Sequence, residues 1–141
     1  MRKILISLFI LNGLISCEKY NNFLQTNSGL IGTWEWIRTD GGFAFHIHES
    51  PSTTGNSYLL KLTAESKILI YENGINIFAG NYVIEKEKSI YSGEIEDYII
   101  ISENYNIQNI VISGIVKVDN DSLTIDDNCY DGIGSSYIRI E

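Results

Sequence analysis

Proline is nearly missing from this chain: Pro51 stands alone among 141 residues. That excludes a proline-rich linker or a polyproline recognition segment. Helical periodicity is missing as well. No stretch of about ten or more residues carries apolar side chains at the i, i+3, i+4 spacing of an amphipathic helix, and alanine is scarce. Positive charge is in short supply, with 10 Lys and Arg against 18 Asp and Glu and a net charge of −8. A nucleic-acid partner is therefore not expected, because phosphates call for Lys and Arg. An electrostatic grip on anionic lipid head groups is excluded on the same ground. No apolar run reaches the roughly 20 residues needed to cross a bilayer as a helix. No glycine-rich loop precedes a helix to cradle phosphate, and no Ser, Cys and His set marks a nucleophile. Nothing here points to an enzyme, and none is expected.

What is present begins at the first residues. Arg2 and Lys3 precede an apolar, uncharged run from Ile4 to Leu11 that continues through Gly13 to Ile15. A basic start followed by a short apolar segment is the pattern of a secretory signal. It ends in Leu14-Ile15-Ser16-Cys17, which resembles the bacterial lipobox. That resemblance implies cleavage before Cys17 and acylation of its sulfur and new amine. Two or more acyl chains are what stable anchoring takes. Residues 1–16 are then a lipoprotein signal peptide and 17–28 a lipidated cysteine with a polar tether. The expected address is the bacterial cell envelope, on the outer membrane, with the membrane as a partner through Cys17. If Cys17 carries lipid, Cys129 has no partner for an intramolecular disulfide. It is either a small buried hydrophobe, the expected state, or a free thiol.

The remaining residues, 29–141, are expected to form one domain, a size at which a chain builds a real core without staples. Short apolar runs rich in Ile and Tyr recur between Gly, Asn and Asp, which is a strand-and-turn pattern. Strands are expected at 31–39, 57–64, 67–72, 75–85, 97–102, 109–118, 122–126 and 136–140. A long loop covers 40–56. Asn73-Gly74 is the strongest hairpin signal, since both central residues of that turn need positive φ. Gly80 is a candidate bulge or barrel bend. Ile110, Ile112, Gly114, Val116 and Val118 alternate along one expected strand. Eight strands on short turns are antiparallel neighbours. Closing them into an up-and-down barrel removes the exposed edges; a β-sandwich is the alternative.

Gly32-Thr33-Trp34, at the start of the first expected strand, resembles the Gly-x-Trp of lipocalins and related calycin barrels. In that group an Arg or Lys on the final strand lies across the Trp ring and closes the barrel bottom. Arg139 stands at the matching place, so Gly32, Trp34 and Arg139 are the implied closure. Trp34-Glu35-Trp36, Gly41-Gly42, Ser50-Pro51-Ser52-Thr53-Thr54-Gly55 and Asp131-Gly132 before Tyr137 and Arg139 resemble small lipocalin-like lipoproteins of Bacteroidetes-type bacteria. This resemblance covers residues 30–141. It implies a fold, and small-molecule binding only by analogy.

Several residues could carry chemistry. His46 and His48 fall on one side of an extended segment with Glu49 beside them, but no other His exists to complete a zinc site. A solvated loop is the expected role, and no metal or cofactor is expected. Glu94, Glu96 and Asp97, and Asp119, Asp121, Asp126, Asp127 and Asp131, cluster at turns, where they cap and solubilise. A calcium loop at Asp126-Asp127-Asn128 with Asp131 lacks the alternating ligands and late Glu of an EF-hand. Trp36, Tyr58, Tyr71, Phe78, Tyr82 and Tyr98 lie on expected strands. They either line a cavity for a small apolar or amphipathic ligand or fill the core. The first case gives a membrane-anchored ligand-binding lipoprotein. The second gives a filled barrel whose loops act as a protein-interaction or inhibitor module.

Overall fold

The computed structural model describes residues 29–141. The expected signal peptide, the lipidation of Cys17 and the tether at 17–28 lie outside the described residues.

Among the described residues nine strands are formed: β1 Gly32–Gly41, β2 Ile47–Glu49, β3 Tyr58–Leu62, β4 Lys67–Glu72, β5 Ile75–Lys88, β6 Ile95–Ile101, β7 Gly114–Asp119, β8 Ser122–Asp126 and β9 Ile133–Arg139. All pairings are antiparallel, and β1 also pairs with β9, so the sheet closes on itself. Eight strands make the barrel. The ninth, β2, pairs with the end of β1 through Thr39–Glu49, Asp40–His48 and Gly41–Ile47. The segment at 40–56 is therefore not one loop. It holds a 3-10 turn at Phe43–Phe45, β2, and a single helical turn, α1, at Pro51–Thr54. Ser50 caps α1 with a capping box, and Pro51 takes the first-turn position, where its missing N–H costs nothing.

The local signals explain the tight turns. Asn73 and Gly74 both hold positive φ, at 50° and 82°, between paired Glu72 and Ile75. The bulge in β5 falls at Ile77, between the pairs Ile70–Phe78 and Tyr71–Asn76, and not at Gly80. Gly80 serves packing instead: a Cβ there would meet the Phe78 ring at 2.6 Å.

Alternation puts Trp34, Trp36, Leu60, Leu62, Ile68, Ile70, Ile99, Leu123, Ile125 and Tyr137 inside, each no more than 1% exposed. One end is closed by Arg139, which donates to Ile31 O at 2.7 Å and Gly29 O at 2.5 Å. Its side chain lies over Trp34, whose Nε1 donates to Leu30 O at 2.9 Å. Gly32 makes room, since a Cβ there would collide with the Arg139 guanidinium and with Glu141 O.

The other end is closed by the connection from β6 to β7, where the expected strand at 109–118 gives way. Ile110, Val111 and Ile112 are consecutive and all buried, and no strand is formed between Ile101 and Gly114. The segment is a plug. Val111 N donates to Ser135 Oγ at 2.8 Å, and Tyr137 Oη donates to Val111 O at 2.6 Å. Asn109 donates to Glu49 at 2.6 Å, latching the plug to β2. The ladder resumes at Gly114, where a Cβ would run into the Asp126 backbone.

Candidate functional site

Of the six aromatics expected to line the interior, four face it. Trp36, Tyr58 and Tyr82 are buried in the core, and Phe78 packs against it. Trp36 and Tyr58 meet edge to face at 5.7 Å, and Phe78 stacks on Tyr105 at 4.3 Å. Tyr71 and Tyr98 do not face the interior. Each stands on the opposite face of its strand from the buried neighbours Ile70 and Ile99. These side chains fill the barrel. What is left at the mouth is a pocket of about 250 Å³ among Trp36, Glu49, Thr54, Asn56, Tyr58, Gln108, Asn109 and Ile110. That is below the roughly 300–1,000 Å³ of a typical ligand site. Tyr58 is engaged there by Glu72, at 2.5 Å, and burial with this carboxylate pushes its phenol up to about 12.

A larger concavity lies on the outer wall, with a volume of about 760 Å³. Its floor is the outward face of β7, β8, β9 and the end of β1: Ile115 and Lys117, Asp126, Gly134 and Ser136, Arg38 and Asp40. Gly41 and Gly134 leave that floor bare. A Cβ at Gly134 would meet the Asp126 carboxylate, and one at Gly41 would lie 2.5 Å from Gly132 O.

Three connections wall the cleft. The first is the β5–β6 hairpin tip, which leans across the outside of β7. Ile90 N donates to Asn128 Oδ1 at 2.9 Å, Asn128 Nδ2 to Lys88 O at 3.0 Å, and Tyr91 Oη to Cys129 O at 2.7 Å. This strap explains why Ile115, on the outward face, is only 1% exposed. The second is the 127–132 turn, to which the tip is tied. The third is the turn after β1, with Ala44 and Phe45. Gly42, Ala44, Phe45 and Asp131 all hold positive φ, at 77°, 55°, 54° and 55°. Left-handed conformation in non-glycine residues costs about 1–3 kcal/mol each, and such strain gathers at functional sites.

The charges in and beside the cleft are mixed. Arg38 pairs with Asp40 at 3.2 Å and Lys117 with Glu96 at 2.8 Å. Lys117, with Ser92, holds the Glu96 carboxyl below its ordinary value. Asp126 is half-buried and has no hydrogen-bond or ion-pair partner among the described residues. Burial pushes its carboxyl up, against the opposing pull of Lys117.

The histidines brace the turn after β1. His46 Nδ1 is 2.6 Å from Phe43 O, and His48 Nδ1 is 2.9 Å from Asp40 Oδ1. Among the described residues no group of three His, Cys, Asp or Glu side chains is placed to hold a metal ion. The other acidic candidates are scattered. Asp97 pairs with Lys86 at 2.8 Å, Asp121 with Arg139 at 3.5 Å, and Asp119 accepts from Asn120 at 3.0 Å. Glu94 sits in the hairpin tip. Only Asp126 and Asp131 join the cleft. Cys129 is exposed, not buried, because it falls in the 127–132 turn outside the barrel. Its thiol lies 3.1 Å from Asp127, which pushes its pKa up.

Comparison of the chain with protein-family models, curated proteins and solved structures finds no match.

Proposed function

We propose that this chain is a lipid-anchored binding protein of the bacterial envelope, with a filled barrel as scaffold and its binding site in the cleft on the outer wall. The anchor rests on Leu14-Ile15-Ser16-Cys17. The observation that carries the site is convergence. Segments near residues 44, 91 and 131 meet around one cleft, two of them in strained conformations, beside Asp126, a half-buried carboxylate with no partner among the described residues. The barrel core closes without these segments, apart from Ile115, which the β5–β6 tip covers from outside. The reading is of a binding protein and not an enzyme, because the cleft holds no nucleophile beside a base.

Photo-crosslinking of the full chain in the bacterium that encodes it tests the site. A photoreactive phenylalanine analogue at Phe45 or Tyr91 is expected to form adducts. The same group at Ile75, exposed at the start of β5 beside the Asn73-Gly74 turn, is expected to form none. Equal labelling at all three positions, or none at Phe45 and Tyr91, would sink the cleft as the site.

A second reading keeps a small molecule at the barrel mouth, favoured by the pocket over Trp36 and Tyr58. Native mass spectrometry decides it: a bound mass that disappears in Tyr58→Ala but persists in Phe45→Ala belongs to the mouth.

A further inference from the structure

Building on the cleft as the binding site, we propose that its ligand is a neutral carbohydrate chain. The alternatives fail on the chemistry of the walls. A phosphorylated or otherwise anionic ligand would meet Asp40, Asp126 and Asp131, while Arg38 and Lys117 are each already paired with a carboxylate. A cation would find Asp40 already paired with Arg38, and among the described residues no group of three His, Cys, Asp or Glu side chains is placed to hold a metal ion. A lipid chain would cover the charged floor and cut Asp126 off from water with no partner among the described residues, which costs free energy for a polar group so buried. A peptide adding as a strand needs a free ladder edge; β8, β9 and β1 are paired on both sides, and beyond Ile115, where β7 leaves β6, Lys117 holds Glu96 across the gap.

A sugar meets what remains. Its hydroxyls both donate and accept, which suits a floor of carboxylates, a guanidinium and the Ser136 hydroxyl. Asp126, half-buried and without a hydrogen-bond or ion-pair partner among the described residues, is a ready acceptor for a pair of vicinal hydroxyls. The C–H face of a pyranose needs a flat ring held still. The Tyr91 ring is 61% exposed, while its hydroxyl is tied to Cys129 O and Asp127 O. Phe45, 62% exposed, is held edge to face against His48 at 4.9 Å. The cleft lies on the outer wall, so a sugar reaches it without threading through the barrel.

The test is titration of the full chain, with calorimetric readout, against soluble fragments of starch, cellulose, xylan and mannan. At least one is expected to bind. Asp126→Asn and Phe45→Ala are each expected to weaken that binding roughly tenfold or more, the scale of one charge-assisted hydrogen bond or one lost stacking face. Tyr71→Ala, on the outer face of β4, is expected to leave it unchanged. Binding that survives both cleft variants would overturn the proposal. No binding to any fragment, with the crosslinks at Phe45 and Tyr91 intact, would overturn the carbohydrate and leave the cleft. Loss of the crosslinks as well would remove the cleft itself.

Discussion

The guanidinium carbon of Arg139 lies 4.1 Å from the centroid of the Trp34 ring. The first strand and the last are thus joined by a cation–π contact as well as by the ladder that pairs Trp34 with Arg139. A cation over an indole contributes about 0.5–2 kcal/mol. Two backbone carbonyls, at Ile31 and Gly29, depend on the same side chain.

Truncating either partner should therefore be costly, for different reasons. Trp34→Ala is expected to lose about 3–5 kcal/mol, the cost of emptying a buried aromatic site. Arg139→Lys keeps the charge but loses the fork that reaches both carbonyls, and should lose about 1–2 kcal/mol. Urea unfolding of both variants measures this. A Trp34→Ala chain as stable as the parent would show that the ring closes nothing.

Tyr137→Phe isolates the plug. The hydroxyl is buried and donates to Val111 O at 2.6 Å, so its removal leaves that carbonyl unsatisfied. About 1–3 kcal/mol should be lost. Amide exchange at 107–112 should rise with it. Unchanged exchange there would mean the plug is held by its apolar packing alone.

Alkali should loosen the same end of the barrel. The Tyr58 phenol stands at about 12 in the fold against an ordinary 10.0. A pKa raised by folding gives stability that is whole below the unfolded value and is lost as pH rises through the folded one. The Tyr58 contribution should therefore be intact below pH 10 and fade towards pH 12. Tyr58→Phe should flatten the pH dependence of the melting temperature in that window. The parent slope persisting in the variant would assign the effect to other tyrosines.

Cys129 should be accessible yet slow. It is exposed, but its hydrogen bond to Asp127 favours the thiol over the reactive thiolate. In a Cys17→Ser chain, alkylation at mildly alkaline pH should lag a cysteine peptide. Asp127→Asn should speed it several-fold. A variant that reacts at the parent rate would free Asp127 of that role.

The barrel was legible in the sequence because its signals are local. Asn73-Gly74 specifies its own turn, period-2 alternation identifies Tyr58, Leu60 and Leu62 as one face, and Gly32-Thr33-Trp34 with Arg139 marks the two ends of the closure. Where the pattern misled, a long-range contact overrode it. Ile110 and Ile112 continue the alternation of Val116 and Val118, yet Ser135 and Tyr137 capture Val111 and turn the segment into a plug. Cys129 follows a buried strand in sequence but sits in a turn whose partner is a hairpin tip nearly 40 positions away. Tyr71 and Tyr98 have the composition of core residues, and only register assigns them to the outside. The cleft was the least visible feature. Asp126 and Asp131 read as turn residues, which they are. Nothing in their spacing foretells that the β5–β6 tip folds over β7 to wall them in. The one available hint was the glycines at 41, 42, 132 and 134, whose density next to acidic residues marks backbone left bare.

The ring of strands has one thin place. Among the described residues β6 and β7 meet only through Tyr98–Ile115 and Ile99–Gly114, whereas β5 and β6 run paired along the whole of β6. The barrel is in this sense a hoop with a clasp, and the clasp is fastened from outside: the β5–β6 tip reaches over β7 to the 127–132 turn, and Lys117 holds Glu96 across the gap. Those fastenings are also the wall of the cleft. Whatever occupies the cleft and touches both the tip and the turn must tighten the hoop, and opening the hoop must release the occupant. Fold and site then share a single free energy, and a ligand will announce itself as a rise in melting temperature before its identity is known.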